Sequence, residues 1–157
     1  MADFVDIKDL DSDPDIATAL GNMVVAWASA ESAILYVMCA ICNMHANQAH
    51  HGYYRIPTFE ARVKFLQGMI PVWTTPKYDK VAISEAIEAI RRLSDTRNSW
   101  IHGIWSKKTT GQVVVFNFRA PEDKGRNKPV KAHDINLHVS TLKERTKALR
   151  ALLPDQP

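Results

Sequence analysis

The sequence predicts a mostly α-helical protein with one small β-hairpin and a C-terminal helix. Three observations lead there. Apolar residues recur every three or four positions through most of residues 14–103. After Gly103 the pattern changes to two short strand-like runs around Thr109-Thr110-Gly111. Helical spacing then returns beyond Ser140. A chain of 157 residues with 46% hydrophobic content can build a core and has the length of one domain, 1–157. Within it the helical core covers about 14–103, and the hairpin and last helix cover about 104–153.

Ser12-Asp13-Pro14 reads as a helix start, because Asp13 can cap free N–H groups and Pro14 suits the first helical position. Ile16, Leu20, Val24, Trp27, Ile34, Met38 and Ile41 carry that helix to about Asn43. A short helix is expected within Asn47 to Ile56, ended by Pro57. Thr58 caps a second long helix with Phe59, Val63, Phe65, Leu66 and Ile70 on its apolar side. Pro71 and Pro76 bracket a loop. A third long helix is expected from about Tyr78, with Ile83, Ile87, Ile90, Ser94 and Ile101 on one stripe. Gly103 then supplies a left-handed stop. Ile104–Lys108 and Gln112–Arg119 are the strands of the hairpin, with Phe116 and Phe118 as half-buried strand residues. Residues 120–131 form a polar loop. A Ser140 cap opens a last helix through Leu142, Leu149 and Leu152.

No unbroken apolar run reaches the roughly 20 residues that span a bilayer, so no membrane association is expected. The first fifteen residues hold six aspartates and one lysine, unlike the positive flank of an export signal. Two cysteines are too few for a disulfide framework, and a reducing, cytoplasmic setting fits. Charge is unevenly placed. Residues 1–102 hold nine Lys/Arg against twelve Asp/Glu, whereas residues 103–157 hold eleven against five. A basic C-terminal third points toward a polyanion such as nucleic acid, with Lys107, Lys108, Arg119, Lys124, Arg126, Lys128 and Lys131 as the contacting residues. A solvated face is the simpler alternative.

Two charges fall on apolar stripes. At about 100° per residue, Glu31 lies roughly 40° from Trp27, and Arg97 lies roughly 40° from Ile83 on the expected third helix. A lone charge facing a core is costly unless paired. A Glu31–Arg97 ion pair is therefore expected, with Glu31 supporting the arginine.

Arg97-Asn98-Ser99-Trp100-Ile101-His102-Gly103 closes that helix. Asn98 and His102 are four apart and share a face, so the amide can orient the imidazole. Arg97 lies about 140° from His102 around the helix, but its long side chain can reach the same phosphate. Arginine suits bidentate phosphate contact, and histidine changes charge near neutral pH. Together they can run phosphodiester transesterification. Histidine takes the ribose 2′-OH proton, and the guanidinium stabilises the phosphorane.

This arrangement resembles the Rx4–6H motif of the HEPN superfamily, with Arg97, Asn98 and His102 in the motif positions. Two flanks add to the resemblance: Trp27-Ala28-Ser29-Ala30-Glu31, and His102-Gly103-Ile104-Trp105 leading into a strand. It covers about residues 14–106. It implies a HEPN-like helical bundle and a metal-independent endoribonuclease of toxin or host-defence type, needing no cofactor. It also implies a homodimer with facing motifs, and an antitoxin or other regulatory protein as a further kind of partner. Other HEPN-like domains only bind RNA, nucleotides or proteins, which is the alternative reading. Arg126-Asn127 with His133 is a second match, set in a Pro-containing loop and read as a decoy.

Cys39-x-x-Cys42 with His45 lies on one helical face and could hold zinc. Thiols inside an apolar helix are more simply small core residues, and no metal site is expected. Tyr53-Tyr54-Arg55 could stack on a base, with core packing preferred.

Overall fold

The structure, a computed structural model, describes residues 4–7, 9–117 and 127–153. The protein is mostly helical. The helices are α1 (Pro14–Cys42), α2 (Ala46–Tyr53), α3 (Phe59–Met69), α4 (Lys80–Arg91), α5 (Ser94–His102) and α6 (Ala132–Ala151). A 3₁₀ turn, Ile70–Val72, follows α3. The strands are β1 (Phe4–Asp6), β2 (Ile104–Lys108), β3 (Val113–Phe116) and β4 (Asn127–Pro129), forming one antiparallel sheet in the order β1-β2-β3-β4.

The chain divides into two compact units. The first comprises Met1–Val25 and Leu93–Ser140, and the second Ala26–Arg92 and Thr141–Pro157. Helix α1 contributes its first turns to the first unit, and α4 and α5 belong to different units.

In the first unit the sheet is larger than the expected hairpin. The hairpin loop is as read from the sequence: Gly111 donates its N–H to Lys108 O at 2.8 Å and adopts φ +83°. A three-residue loop ending in a left-handed residue needs glycine there. Around this hairpin β1 pairs with β2, Val5 opposite Lys107, and β4 pairs with β3, Lys128 opposite Val115. Both added strands, Phe4–Asp6 and Asn127–Pro129, are three residues long, too short to carry an alternating signal. The buried side chains are Ile16, Ala19 and Met23 of α1, Val113, Val114 and Val115 of β3, and Val130, Ile135 and Val139. Helix α6 starts eight residues before the expected Ser140 cap. Asp134 Oδ2 accepts the Lys131 N–H at 3.0 Å and closes its first turn. His133 lies in that turn and not in a loop, while its companion Arg126 is outside the described residues. Phe116 is half-buried as expected, and Phe118 is also outside the described residues.

In the second unit Thr58 caps α3 by accepting the Ala61 N–H at 3.1 Å, and Asp79 caps α4 through Ala82 at 2.9 Å. The core holds Trp27, Ile34, Val37 and Met38 of α1, Tyr53, Val63, Leu66, Ile70 and Trp73, then Ile83, Ile87 and Ile90 of α4, with Leu142 and Leu149 of α6. Four alanines of α1, at 19, 26, 30 and 33, are fully covered, whereas Val24 is 49% exposed. The buried stripe therefore runs through small residues beside the large ones that the periodicity picked out. By length and composition alone α1 is long and apolar enough to cross a membrane. The sequence hides this because uncharged Asn, Ser, Thr and Gly interrupt its apolar runs without adding charge between Asp15 and Glu31.

The expected third helix is two helices. Arg92 and Leu93 form a turn between α4 and α5. The angular argument that put Arg97 on the Ile83 stripe assumed one unbroken helix at about 100° per residue, and the turn at Arg92 and Leu93 interrupts that helix. The ion pair shown for Glu31 is with Arg62 of α3. Glu31 Oε1 accepts from Arg62 Nη1 at 2.8 Å, and these side chains are only 18% and 12% exposed.

Candidate active site

Helix α5 is short and polar, with only Ser94 fully buried along it. Its C-terminal end is held by two devices. Trp105 of β2 donates its indole N–H to the Trp100 carbonyl at 2.9 Å, satisfying one of the four carbonyls that a helix end leaves without partners. Gly103 packs directly against β3: a Cβ there would collide with Val115 Cγ1 and the Ser99 carbonyl and meet Phe116 O at 3.1 Å. Gly103 has φ −78° and ψ 159°, so it is not the expected left-handed cap. Glycine is required by close approach and not by conformational freedom.

This anchored end presents the motif. Arg97 is half-buried, Asn98 and His102 are exposed. Arg97 Nη1 donates to Asn98 Oδ1 at 2.9 Å. The amide therefore orients the guanidinium, and not the imidazole as expected. His102 is the last residue of α5, and no hydrogen bond, ion pair or ring contact is shown for its side chain among the described residues. Its imidazole is open to solvent on the Asn98 side of the helix. The structure thus joins Arg97 to Asn98, and leaves His102 beside them on the same nine-residue helix.

No known family model, characterised protein or solved structure matches this chain.

The supporting and RNA-contacting residues are dispersed. Glu31 belongs to the second unit and holds Arg62, whose guanidinium also stacks 4.9 Å from Tyr53 and 4.8 Å from Tyr54. Lys107 is half-buried, and its ammonium holds the Asp13 carboxylate at 2.9 Å. That hydrogen bond lowers the Asp13 pKa, and it turns the carboxylate from the capping role expected of it. Lys107 and Lys108 are consecutive in β2 and point to opposite sheet faces. Lys128 and Lys131 are exposed, and Arg119, Lys124 and Arg126 lie outside the described residues. The register of the sheet puts Lys107 and Lys128 on the same face and Lys108 on the other.

A cleft of about 320 Å³ flanks α5, bordered by Asp95, Ser99, Trp100, Asn117, Lys128 and Asp134. Neither Arg97 nor His102 lines it. Its signal in the sequence was the Asp95–Ser99 spacing of four on the face next to His102. Behind Trp100 the ring of His138 packs edge-on at 5.1 Å. Burial lowers the His138 pKa. Cys39 and Cys42 are free thiols whose pKa values burial raises. Among the described residues no group of three or more His, Cys, Asp or Glu is placed to hold a metal ion.

Proposed function

We propose that this protein is a HEPN-like endoribonuclease of toxin or host-defence type, acting on cytoplasmic RNA by 2′-OH transesterification. The observation that carries the reading is the state of α5. Its exposed His102 has no partner that folding requires, and it shares a helix with a guanidinium already oriented by Asn98. A free imidazole can take the 2′-OH proton, and a held guanidinium can meet the phosphorane without first ordering itself. The products are a 2′,3′-cyclic phosphate and a 5′-hydroxyl.

The working unit under this reading is a homodimer. One α5 offers a single histidine and a single arginine about 140° apart. In-line displacement wants a base and an acid on opposite sides of the phosphorus, which two copies related by a two-fold axis supply. An antitoxin or other regulatory protein would then act by covering α5.

A silent RNA-, nucleotide- or protein-binding module is the second reading. It is favoured by one observation: Asn98 is engaged by Arg97, so nothing on α5 fixes the tautomer of His102. Incubating the full chain with total RNA, beside Arg97→Ala and His102→Ala, separates the two. Cleavage lost in both variants supports the nuclease. Binding without cleavage in all three supports the module. Light scattering should report about twice the 17.7 kDa chain mass, and a monomer that cleaves at full rate would remove the composite site.

A further inference from the structure

The cleft of about 320 Å³ that flanks α5 lies within the first unit. Its volume is at the small end of the range for ligand sites. Its place on the helix ties it to His102. At about 100° per residue, Ser99 lies roughly 40° and His102 roughly 20° from Asp95, so the three form one stripe of α5. Asp95 and Ser99 line the cleft. His102 follows Ser99 by about 4.5 Å along the helix axis. An RNA strand held at His102 and running along α5 passes over the cleft.

The lining carries charges of both signs. Asp95 is exposed, and no hydrogen bond or ion pair is shown for its side chain among the described residues. Asp134, in the first turn of α6, uses Oδ2 to accept the Lys131 N–H at 3.0 Å. Lys128 is exposed in β4, directly opposite Val115. Opposed residues of a ladder share a face, and Val115 lines the cleft and lies against Gly103 at the end of α5. Lys128 therefore stands on the α5 side of the sheet. No ion pair is shown between it and either carboxylate among the described residues. Thr96 and Ser99 add hydroxyls, and Val115 and Val130 add apolar lining.

Two carboxylates against one ammonium disfavour a phosphate in the cleft. They favour a neutral group rich in N–H donors, with an acceptor for the lysine. Among the RNA bases guanine offers that set. Its N1–H and N2 amine match the two oxygens of one carboxylate, and its O6 and N7 suit a cation. Adenine and cytosine each present one amine, and uracil presents one ring N–H. We propose that this cleft seats a guanine of the RNA bound at α5, with Asp95 accepting from N1–H and the N2 amine and Lys128 donating to O6 or N7. This assignment rests on RNA being the ligand of α5, as in the proposed function, and not on its being cut there.

The test is fluorescence anisotropy of the full wild-type chain with short labelled oligouridylates, made uncleavable by 2′-fluoro substitution. Each carries one guanine, inosine, adenine or cytosine, or none. The guanine oligomer should bind about tenfold more tightly than the adenine, cytosine and unsubstituted ones, as one good bidentate base contact implies. Inosine, which keeps N1–H and O6 but lacks the N2 amine, should fall between guanine and adenine. Asp95→Ala, at an exposed position, should remove the preference, and Lys128→Ala should weaken the guanine oligomer more than the unsubstituted one. Equal affinities for all oligomers overturn the proposal, as does a guanine preference that survives Asp95→Ala. If Asp95→Ala does not fold, Lys128→Ala decides, and an unchanged preference overturns it. Cleavage of total RNA is read separately. Cleavage blind to base overturns the guanine assignment and leaves the nuclease standing. A guanine preference in a chain that never cuts keeps the assignment and removes the nuclease.

Discussion

Arg62 and Arg97 stand in opposite surroundings. Arg62 is 12% exposed and held on several sides: Nη1 donates to Glu31, Nε donates to the Ile56 carbonyl at 3.0 Å, and the guanidinium lies near the rings of Tyr53 and Tyr54. Arg97 is half-buried on a polar nine-residue helix, oriented by its neighbour Asn98, with the exposed His102 at the helix end. A guanidinium removed from water must find its partners inside the fold, so the residues around Arg62 are explained by folding alone. No packing demand explains an exposed histidine. Under the proposed function, the contrast is between a charge that serves the structure and two side chains that serve the chemistry.

The sharpest way to break that contrast is His102→Ala. Removing a positioned acid or base costs about 10²–10⁴ in rate, while removing an exposed side chain should leave thermal unfolding unchanged. A variant that cleaves RNA normally, or one that unfolds early, would contradict it. Glu31→Gln is the converse change. It should lower stability by about 3 kcal/mol, the lower end of the cost of breaking a buried pair, and leave cleavage per folded molecule intact. Each kcal/mol lowers the midpoint by roughly 2–4 °C in a chain of this size. Lost cleavage in a stably folded Glu31→Gln protein would mean that Glu31 acts on the α5 site after all.

Gly103→Ala should cost about 1–3 kcal/mol through overpacking against Val115 and the Ser99 carbonyl. Because it moves the end of α5, it should reduce cleavage and stability together, read in one preparation by RNA gel and urea midpoint. An alanine tolerated at this position in both assays would show that the helix end is loose.

The smallest expected effect is a pH dependence from His138. Its imidazole packs against Trp100, and its Nε2 is buried with no partner among the described residues. Burial holds its folded pKa below the ordinary value of 6.5. The unfolded chain therefore binds the proton first as pH falls, and the native state loses stability from about pH 6.5 down through the lowered folded value. Denaturant midpoints at pH 7.5 and pH 5.5 should separate more for the wild type than for His138→Leu. Equal separations would place His138 outside this behaviour.

The helices of the second unit were legible because their signals are local. Thr58 and the isoleucines 83, 87 and 90 each act over one or two turns, and their cap and stripe stand in the structure. Strands β1 and β4 were not legible, since three-residue edge strands owe their existence to partners far along the chain. The α4–α5 turn was hidden because Arg92 and Leu93 are good helix formers that keep helical backbone angles through the break. Arg62 as a partner of Glu31 was overlooked because it sits on another helix, α3. The Arg97, Asn98 and His102 spacing lies within α5 and is unaffected. The partner of Asn98 was not legible: one amide can turn to either neighbour, and spacing does not choose.

The account stands or falls on how the phosphodiester is cut. End-group analysis of RNA treated with the wild-type chain in excess EDTA, beside His102→Ala, addresses this directly. The account predicts 2′,3′-cyclic phosphate and 5′-hydroxyl ends from the wild type with chelator present, and none above background from the variant. Products with 3′-hydroxyl ends, or cleavage abolished by the chelator, would contradict transesterification by Arg97 and His102.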